Sequence, residues 1–70
     1  MEKKISFKDI YRKIGGYVIL CNKRGVVLLE ETEETNIKSI WKFYNREVLG
    51  ISPVNDYTME ICIGGPVNEE

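Results

Sequence analysis

Two short apolar segments separated by a polar turn constrain the fold of this chain most. Residues 17–21 and 26–30 are rich in Val, Ile and Leu, and the turn at 22–25 reads Asn-Lys-Arg-Gly. A polar turn that ends in glycine between two apolar runs is typical of a β-hairpin. Because both strands carry apolar residues on both faces, we expect them in the middle of a sheet or between two layers.

A second pair of strands is predicted near the C-terminus. Residues 57–63 alternate strictly between apolar and more polar side chains, as in a strand with one buried face, and Tyr57 begins the apolar side. Residues 47–51 supply its partner, and the Pro-containing stretch 52–56 is predicted to be the turn between them. Both turns are short, so the two strands within each hairpin are expected to be antiparallel.

The apolar spacing i, i+3, i+4, i+7 predicts a first helix over residues 7–14. Ser6 precedes this helix as a candidate N-cap. Gly15 and Gly16 follow it, and glycine readily adopts the left-handed conformation that ends a helix.

The same spacing predicts a second helix over about residues 33–45. Thr32 is its candidate cap, and the glutamates after it suit the first turn of a helix. The apolar stripe includes Trp41, which we expect in the core. Phe43 falls outside the stripe, so it is expected to be exposed or packed on another element.

These elements predict an α+β fold with the order α-β-β-α-β-β. The two hairpins are expected to form one four-stranded antiparallel sheet with both helices on one face. The halves align at an offset of 30, with Lys8, Ile10 and Val18 repeated as Lys38, Ile40 and Val48. This match allows a weak internal α-β-β duplication. One domain is expected over residues 1–63, followed by a flexible acidic tail at 64–70.

The composition argues against an enzyme, a metal site and a cofactor. The chain has no histidine, no CxxC motif and no glycine-rich loop between a strand and a helix. No secretory leader and no apolar segment of about 20 residues is recognised, so we expect a cytoplasmic protein with no membrane partner. Cys21 and Cys62 are then expected as reduced, small core residues; a disulfide between them would need an oxidising compartment.

The charges divide unevenly along the chain. Residues 1–24 carry seven basic and two acidic side chains, whereas residues 25–70 carry three basic and nine acidic ones. An N-terminal basic face could bind nucleic acid or an acidic protein; the alternative is an ordinary solvated surface. The candidate basic patch comprises Lys3, Lys4, Lys8, Arg12, Lys13, Lys23 and Arg24.

The function expected from the sequence is a small non-enzymatic binding module that acts through protein–protein contacts. Because a domain of this size buries little surface, self-association as a homodimer is the first expectation. If strand 47–51 lies at the edge of the sheet, its open backbone groups favour pairing with another chain. The candidate contact residues are Phe43, Leu49 and Ile51. The alternative is a small regulator associated with nucleic acid that uses the basic N-terminal half.

Overall fold

A computed structural model describes residues 4–67, and it has two short helices and one four-stranded sheet. This confirms the α+β class and the predicted order of elements. Within the described residues, no helix is long and apolar enough to cross a membrane. In chain order the elements are α1 (Phe7–Tyr11), β1 (Tyr17–Cys21), β2 (Val27–Glu30), α2 (Ile37–Trp41), β3 (Arg46–Asn55) and β4 (Thr58–Pro66).

The sheet is mixed, so the prediction of a purely antiparallel sheet was wrong. The strand order is β2-β1-β4-β3, with antiparallel pairing inside each hairpin and parallel pairing between β1 and β4. The connection through α2 carries the chain from one outer strand to the other, and the second hairpin returns beside β1 in the same direction. Parallel neighbours need such a crossover connection, and the short hairpin turns do not specify it.

The two halves of the chain occupy the sheet differently. In the first half the first strand, β1, is an inner strand, whereas in the second half the first strand, β3, is an outer one. A duplicated α-β-β unit related by symmetry would place β1 and β3 in equivalent positions. The sheet order therefore does not support an internal duplication. β2, which was expected in the middle of a sheet, is also an outer strand.

One face of the sheet carries the core. Val18 and Leu20 of β1 share that face with Ile61 and Ile63 of β4, because residues two apart along a strand point the same way. Phe7 from α1 and Ile40 from α2 complete the cluster, and all six side chains are at most 1% exposed. Both helices therefore cover the same face, as the sequence predicted.

Both helices are shorter than predicted. α1 ends at Tyr11, and residues 12–14 continue in tight turns in which Lys13 N–H donates to the Ile10 carbonyl. α2 begins after Asn36, whose side chain accepts the Lys38 N–H at 2.9 Å. Thr32 does not cap it: its hydroxyl instead accepts the Glu34 N–H in a separate turn.

Trp41, which was expected in the core, points outward, whereas Phe43 takes the second of its two expected positions and packs on other elements. Phe43 N–H donates to the Ile40 carbonyl at 3.0 Å. Residues three apart eclipse one another in such a turn, so Phe43 follows Ile40 onto the core, against which it packs half-buried. Trp41 turns outward and is 51% exposed. The predicted phase of the second helix was wrong because it assumed a regular helix through residue 45.

The second hairpin is longer than predicted. β3 runs through the stretch expected to be a turn, and its Pro53 lies opposite Met59. The turn is formed instead by Asp56 and Tyr57, which leaves Tyr57 74% exposed rather than in the core. β4 continues to Pro66, into the range expected as a tail, while residues 68–70 lie outside the described part.

Candidate functional site

The outer edge of β3 is the longer of the two open strand edges among the described residues. β3 pairs with β4 on one side only. Three of its apolar side chains are close to half exposed: Leu49 at 46%, Ile51 at 43% and Val54 at 50%. No charged residue occurs from Val48 to Asn55. Charges, especially lysines, are the usual protection of an edge strand against pairing with another chain, and this edge has none.

The N-terminal segment closes the beginning of this edge. Val48 N–H donates to the Ile5 carbonyl at 2.8 Å, and Ser6 forms an antiparallel bridge with Glu47. The open edge therefore starts at Leu49 and continues to Asn55. Pro53 removes one backbone donor within it, because proline has no N–H. We call residues 49–55 the open edge.

The absence of a side chain at Gly64 leaves room for Leu49 on the surface of the sheet. The place of a Cβ at Gly64 is only 3.2 Å from a Leu49 methyl group, so glycine makes the room in which Leu49 lies. Ile51 lies opposite Ile61 in the β3–β4 register, on the side of the sheet that carries the core. Leu49 and Ile51 of the open edge thus lie on opposite faces of the sheet.

The structure brings two of the three candidate contact residues together. Leu49 and Ile51 lie on the open edge, but Phe43 packs against the core. Arg46 also holds Phe43 in place, since its guanidinium lies 6.0 Å from the centroid of that ring and its Nε donates to the Gly64 carbonyl. No sequence signal marked Arg46, because its role depends on β3 and β4 pairing as far as their ends.

The candidate basic residues do not line a single cavity. Lys4, Arg12 and Lys13 line an open groove of about 860 Å³ beside α1, together with Asp9. Lys8 is exposed and lines neither this groove nor the cavity near Lys23 and Arg24. Lys3 lies outside the described residues.

Lys23 and Arg24 form a separate group at the turn between β1 and β2. With Arg46 they line a cavity of about 490 Å³ against the backbone of Gly64 and Gly65. The structure thus divides the predicted patch into two groups of cations.

Neither group of cations is combined with a metal centre. Among residues 4–67, no cluster of three or more Cys, Asp or Glu side chains is placed to hold a metal ion.

No family model matches the chain, and comparisons with curated proteins and with solved structures also give no match.

Proposed function

We propose that this chain is a non-enzymatic protein-binding module whose partner is a second copy of itself, paired through the open edge of β3. The observation that carries the proposal is the position of β3 as an outer strand with an uncharged, half-exposed apolar stretch. Extended segments add readily to such edges, because main-chain hydrogen bonds supply affinity and alternate side chains supply specificity.

A second copy suits this edge because the stretch is self-complementary. Antiparallel pairing of two identical strands places each residue opposite one from the other end, and like charges directly opposite are destabilising. From Val48 to Asn55 there is no charge to oppose its own copy. The bridge between Ser6 and Glu47 blocks pairing before Leu49. Antiparallel pairing limited to residues 49–55 is centred on Ser52.

The mass in solution tests the proposal. By light scattering, at concentrations on the order of tens of micromolar, we expect twice the 8.1 kDa of one chain. Leu49→Glu should give the mass of one chain, because pairing would bury an unpaired carboxylate. Val27→Glu is the matched control, since Val27 is 54% exposed on the other outer strand, β2. A monomeric wild type, or equal effects of the two variants, contradicts the proposal.

A cysteine at position 52, the centre of the open edge, gives a second test that introduces no charged side chain. In a chain with Cys21→Ser and Cys62→Ser, Ser52→Cys should form a disulfide between two copies on mild oxidation, because the paired residues 52 meet at the two-fold axis. Leu28→Cys on β2 in the same background is the control. Crosslinking at 28 that equals crosslinking at 52 would mean random collision rather than pairing through β3.

A nucleic-acid partner is the second candidate, and one observation favours it. Lys23 and Arg24 lie with Arg46 around one cavity at the end of the sheet, where three cations could contact phosphates. Binding of a duplex or single-stranded oligonucleotide that weakens steeply with salt, and is lost in Lys23→Glu/Arg24→Glu, would favour this function. Binding that does not change with salt would exclude it.

A cytoplasmic location is part of the main proposal. In a reducing compartment Cys21 and Cys62, which lie in register on neighbouring strands, are expected to remain thiols.

A further inference from the structure

The two cysteines are neighbours in the sheet although they are distant in the sequence. Cys21, the last residue of β1, is directly in register with Cys62 of β4. Adjacent strands lie about 4.8 Å apart, and disulfides span Cα–Cα distances of about 4.4–6.8 Å. In-register residues of parallel neighbours also point to the same face of a sheet. The strand register therefore places the two Cα atoms within the range that a disulfide spans.

Their surroundings differ, and the difference gives the two thiols different roles. Cys21 is only 6% exposed, and its Sγ–H donates to the Glu60 carboxylate at 3.6 Å. Cys62 is half-buried, and its Sγ–H donates to the Asn22 carbonyl at 3.5 Å. Both cysteines and Glu60 line an open cavity of about 300 Å³ on the face opposite the core. Lys23 lies at the same cavity.

Burial raises the pKa of the Cys21 thiol, and the negative charge of Glu60 and the neighbouring Cys62 thiol raise it further. Cys21 therefore stays protonated over a wider pH range than an ordinary thiol. Cys62, which is the more exposed of the two, is the thiol that a small reagent entering the cavity meets first.

We propose that Cys21 and Cys62 form a reversible intramolecular disulfide by exchange with a small disulfide, such as oxidised glutathione, that enters this cavity. The inference does not depend on the pairing through β3, because both sulfurs belong to one chain.

The exchange takes two steps. The Cys62 thiolate attacks one sulfur of the small disulfide, which forms a mixed disulfide and releases one small thiolate. Cys21 then loses its proton to water, and its thiolate attacks the Cys62 sulfur, breaks the mixed disulfide and releases the second small thiolate. Two thiols of the chain are oxidised by two electrons, and one small disulfide is reduced to two thiols. Glu60 is a positioning residue: its carboxylate accepts the hydrogen bond of the Cys21 thiol, and its negative charge disfavours the Cys21 thiolate.

The bond would join the two inner strands, which carry most of the core. Because β1 and β4 come from opposite halves of the chain, the bond closes a long loop of the unfolded chain and reduces its conformational freedom. The oxidised protein is therefore expected to unfold at a higher denaturant concentration than the reduced protein, and added dithiothreitol should reverse the shift.

The test treats the reduced full chain with oxidised glutathione and follows intact mass and free thiols. The expected product has lost two hydrogens and both free thiols, and proteolysis should yield a peptide pair joined through Cys21 and Cys62. In Cys21→Ser the mixed disulfide with glutathione should persist, whereas Cys62→Ser should react much more slowly. Because Glu60 raises the pKa of the Cys21 thiol, Glu60→Gln should close the mixed disulfide faster than wild type near neutral pH, and the difference should shrink at higher pH.

Three results would overturn the inference. They are a wild-type product that stays at the mixed disulfide, a disulfide between two chains in place of one within a chain, and thiols that do not react under conditions in which free glutathione exchanges. The intramolecular link is expected equally in Leu49→Glu, so its absence and the absence of a dimer can be told apart.

Discussion

The inner and outer strands of this sheet have similar sequences but different environments. β1 and β2 are both short and apolar, yet three of the five residues of β1 are buried and none of β2 is. β4 likewise contains buried residues, whereas β3 has none. The difference arises from lateral position. An inner strand has neighbours on both sides and the helices above, and an outer strand lacks one neighbour.

This contrast separates the residues that stabilise the fold from those available for a partner. The apolar side chains of the inner strands are already removed from water within one chain. Those of the outer strands, such as Leu28 and Leu49, stay partly in contact with water. A partner can therefore gain apolar burial mainly at the outer strands.

The sharpest test uses two isoleucines that lie opposite each other. Ile61 of β4 is fully buried, and its in-register neighbour Ile51 of β3 is 43% exposed. Ile61→Ala should lower the free energy of unfolding by about 2–5 kcal/mol, because it leaves a cavity in the core. Ile51→Ala should cost less than about 1 kcal/mol in dilute protein. Urea denaturation followed by circular dichroism measures both.

Protein concentration sharpens this test further. If β3 pairs with its copy, the cost of Ile51→Ala should grow as concentration rises, since binding of a partner stabilises the folded state by mass action. The cost of Ile61→Ala should change little with protein concentration, because Ile61 is buried within one chain. If Ile51→Ala and Ile61→Ala cost the same stability at every protein concentration, the inner strands would not be the ones that stabilise the fold and the outer strands would not be the ones that bind a partner.

The start of the inner strands gives a second comparison within two adjacent glycines. A side chain at Gly16 would meet the Tyr57 carbonyl oxygen, whereas Gly15 has open space. The close approach accompanies the 2.8 Å hydrogen bond from Tyr17 N–H to the same carbonyl, where β1 and β4 begin side by side. Gly16→Ala should therefore destabilise by about 1–3 kcal/mol or more, because backbone must move.

Gly15→Ala is the control for this change. It should be neutral or slightly stabilising, because it restricts the unfolded chain without a clash. Thermal unfolding of the two variants provides the comparison. Similar losses in both would mean that the glycines act through helix termination, which was their predicted role, and not through contact between β1 and the turn before β4.

The sequence was sufficient for what depends on local pattern. Period-two alternation correctly assigned Ile61 and Ile63 to one face, and the first hairpin turn was placed from its polar residues. Lateral order was not predictable, because β1 and β2 have the same apolar character and only the long-range pairing of β1 with β4 distinguishes them. The outward position of Trp41 was missed for a local reason: the tight turn after α2 replaces 3.6 residues per turn with three.

The candidate contact residues were predicted only in part, because they depend on the local sequence pattern and also on the lateral order of the strands. Leu49 and Ile51 were identified from a strand that would be exposed if it lay at the edge, and it does. Phe43 was included because the helix phase was wrong. The approach of Cys21 to Cys62 could not be foreseen, since it requires the parallel pairing that the short hairpin turns do not specify.

The outer strand β2 is attached to the inner strand β1 through the side chain and the backbone of Glu31. Just beyond β2, Glu31 accepts the Val18 N–H at 3.1 Å and the Tyr11 hydroxyl at 2.9 Å, one on each carboxylate oxygen. Its own N–H donates to the Val18 carbonyl at 2.9 Å. A side chain thus extends the pairing of β1 and β2, and Tyr11 of α1 holds that side chain in place.

This attachment predicts a dependence on alkaline pH. Burial, followed by the hydrogen bond and charge of Glu31, raises the pKa of Tyr11 to about 12, compared with an ordinary value of about 10. Below the ordinary pKa, Tyr11 is protonated whether the chain is folded or not, and its contribution to stability is complete. As pH rises from about 10 to about 12, the unfolded chain loses the proton first, so stability falls.

Tyr11→Phe separates this contribution from the other tyrosines. Near pH 8 the variant should be less stable than wild type by about 0.5–1.5 kcal/mol, the usual net value of one hydrogen bond. Because Phe does not titrate, the two stabilities should converge as pH rises through this window. Denaturant midpoints at several pH values measure the convergence, and phenolate absorbance reports the delayed titration directly. A difference that stays constant up to about pH 12 would show that Glu31 holds β2 to β1 without help from Tyr11.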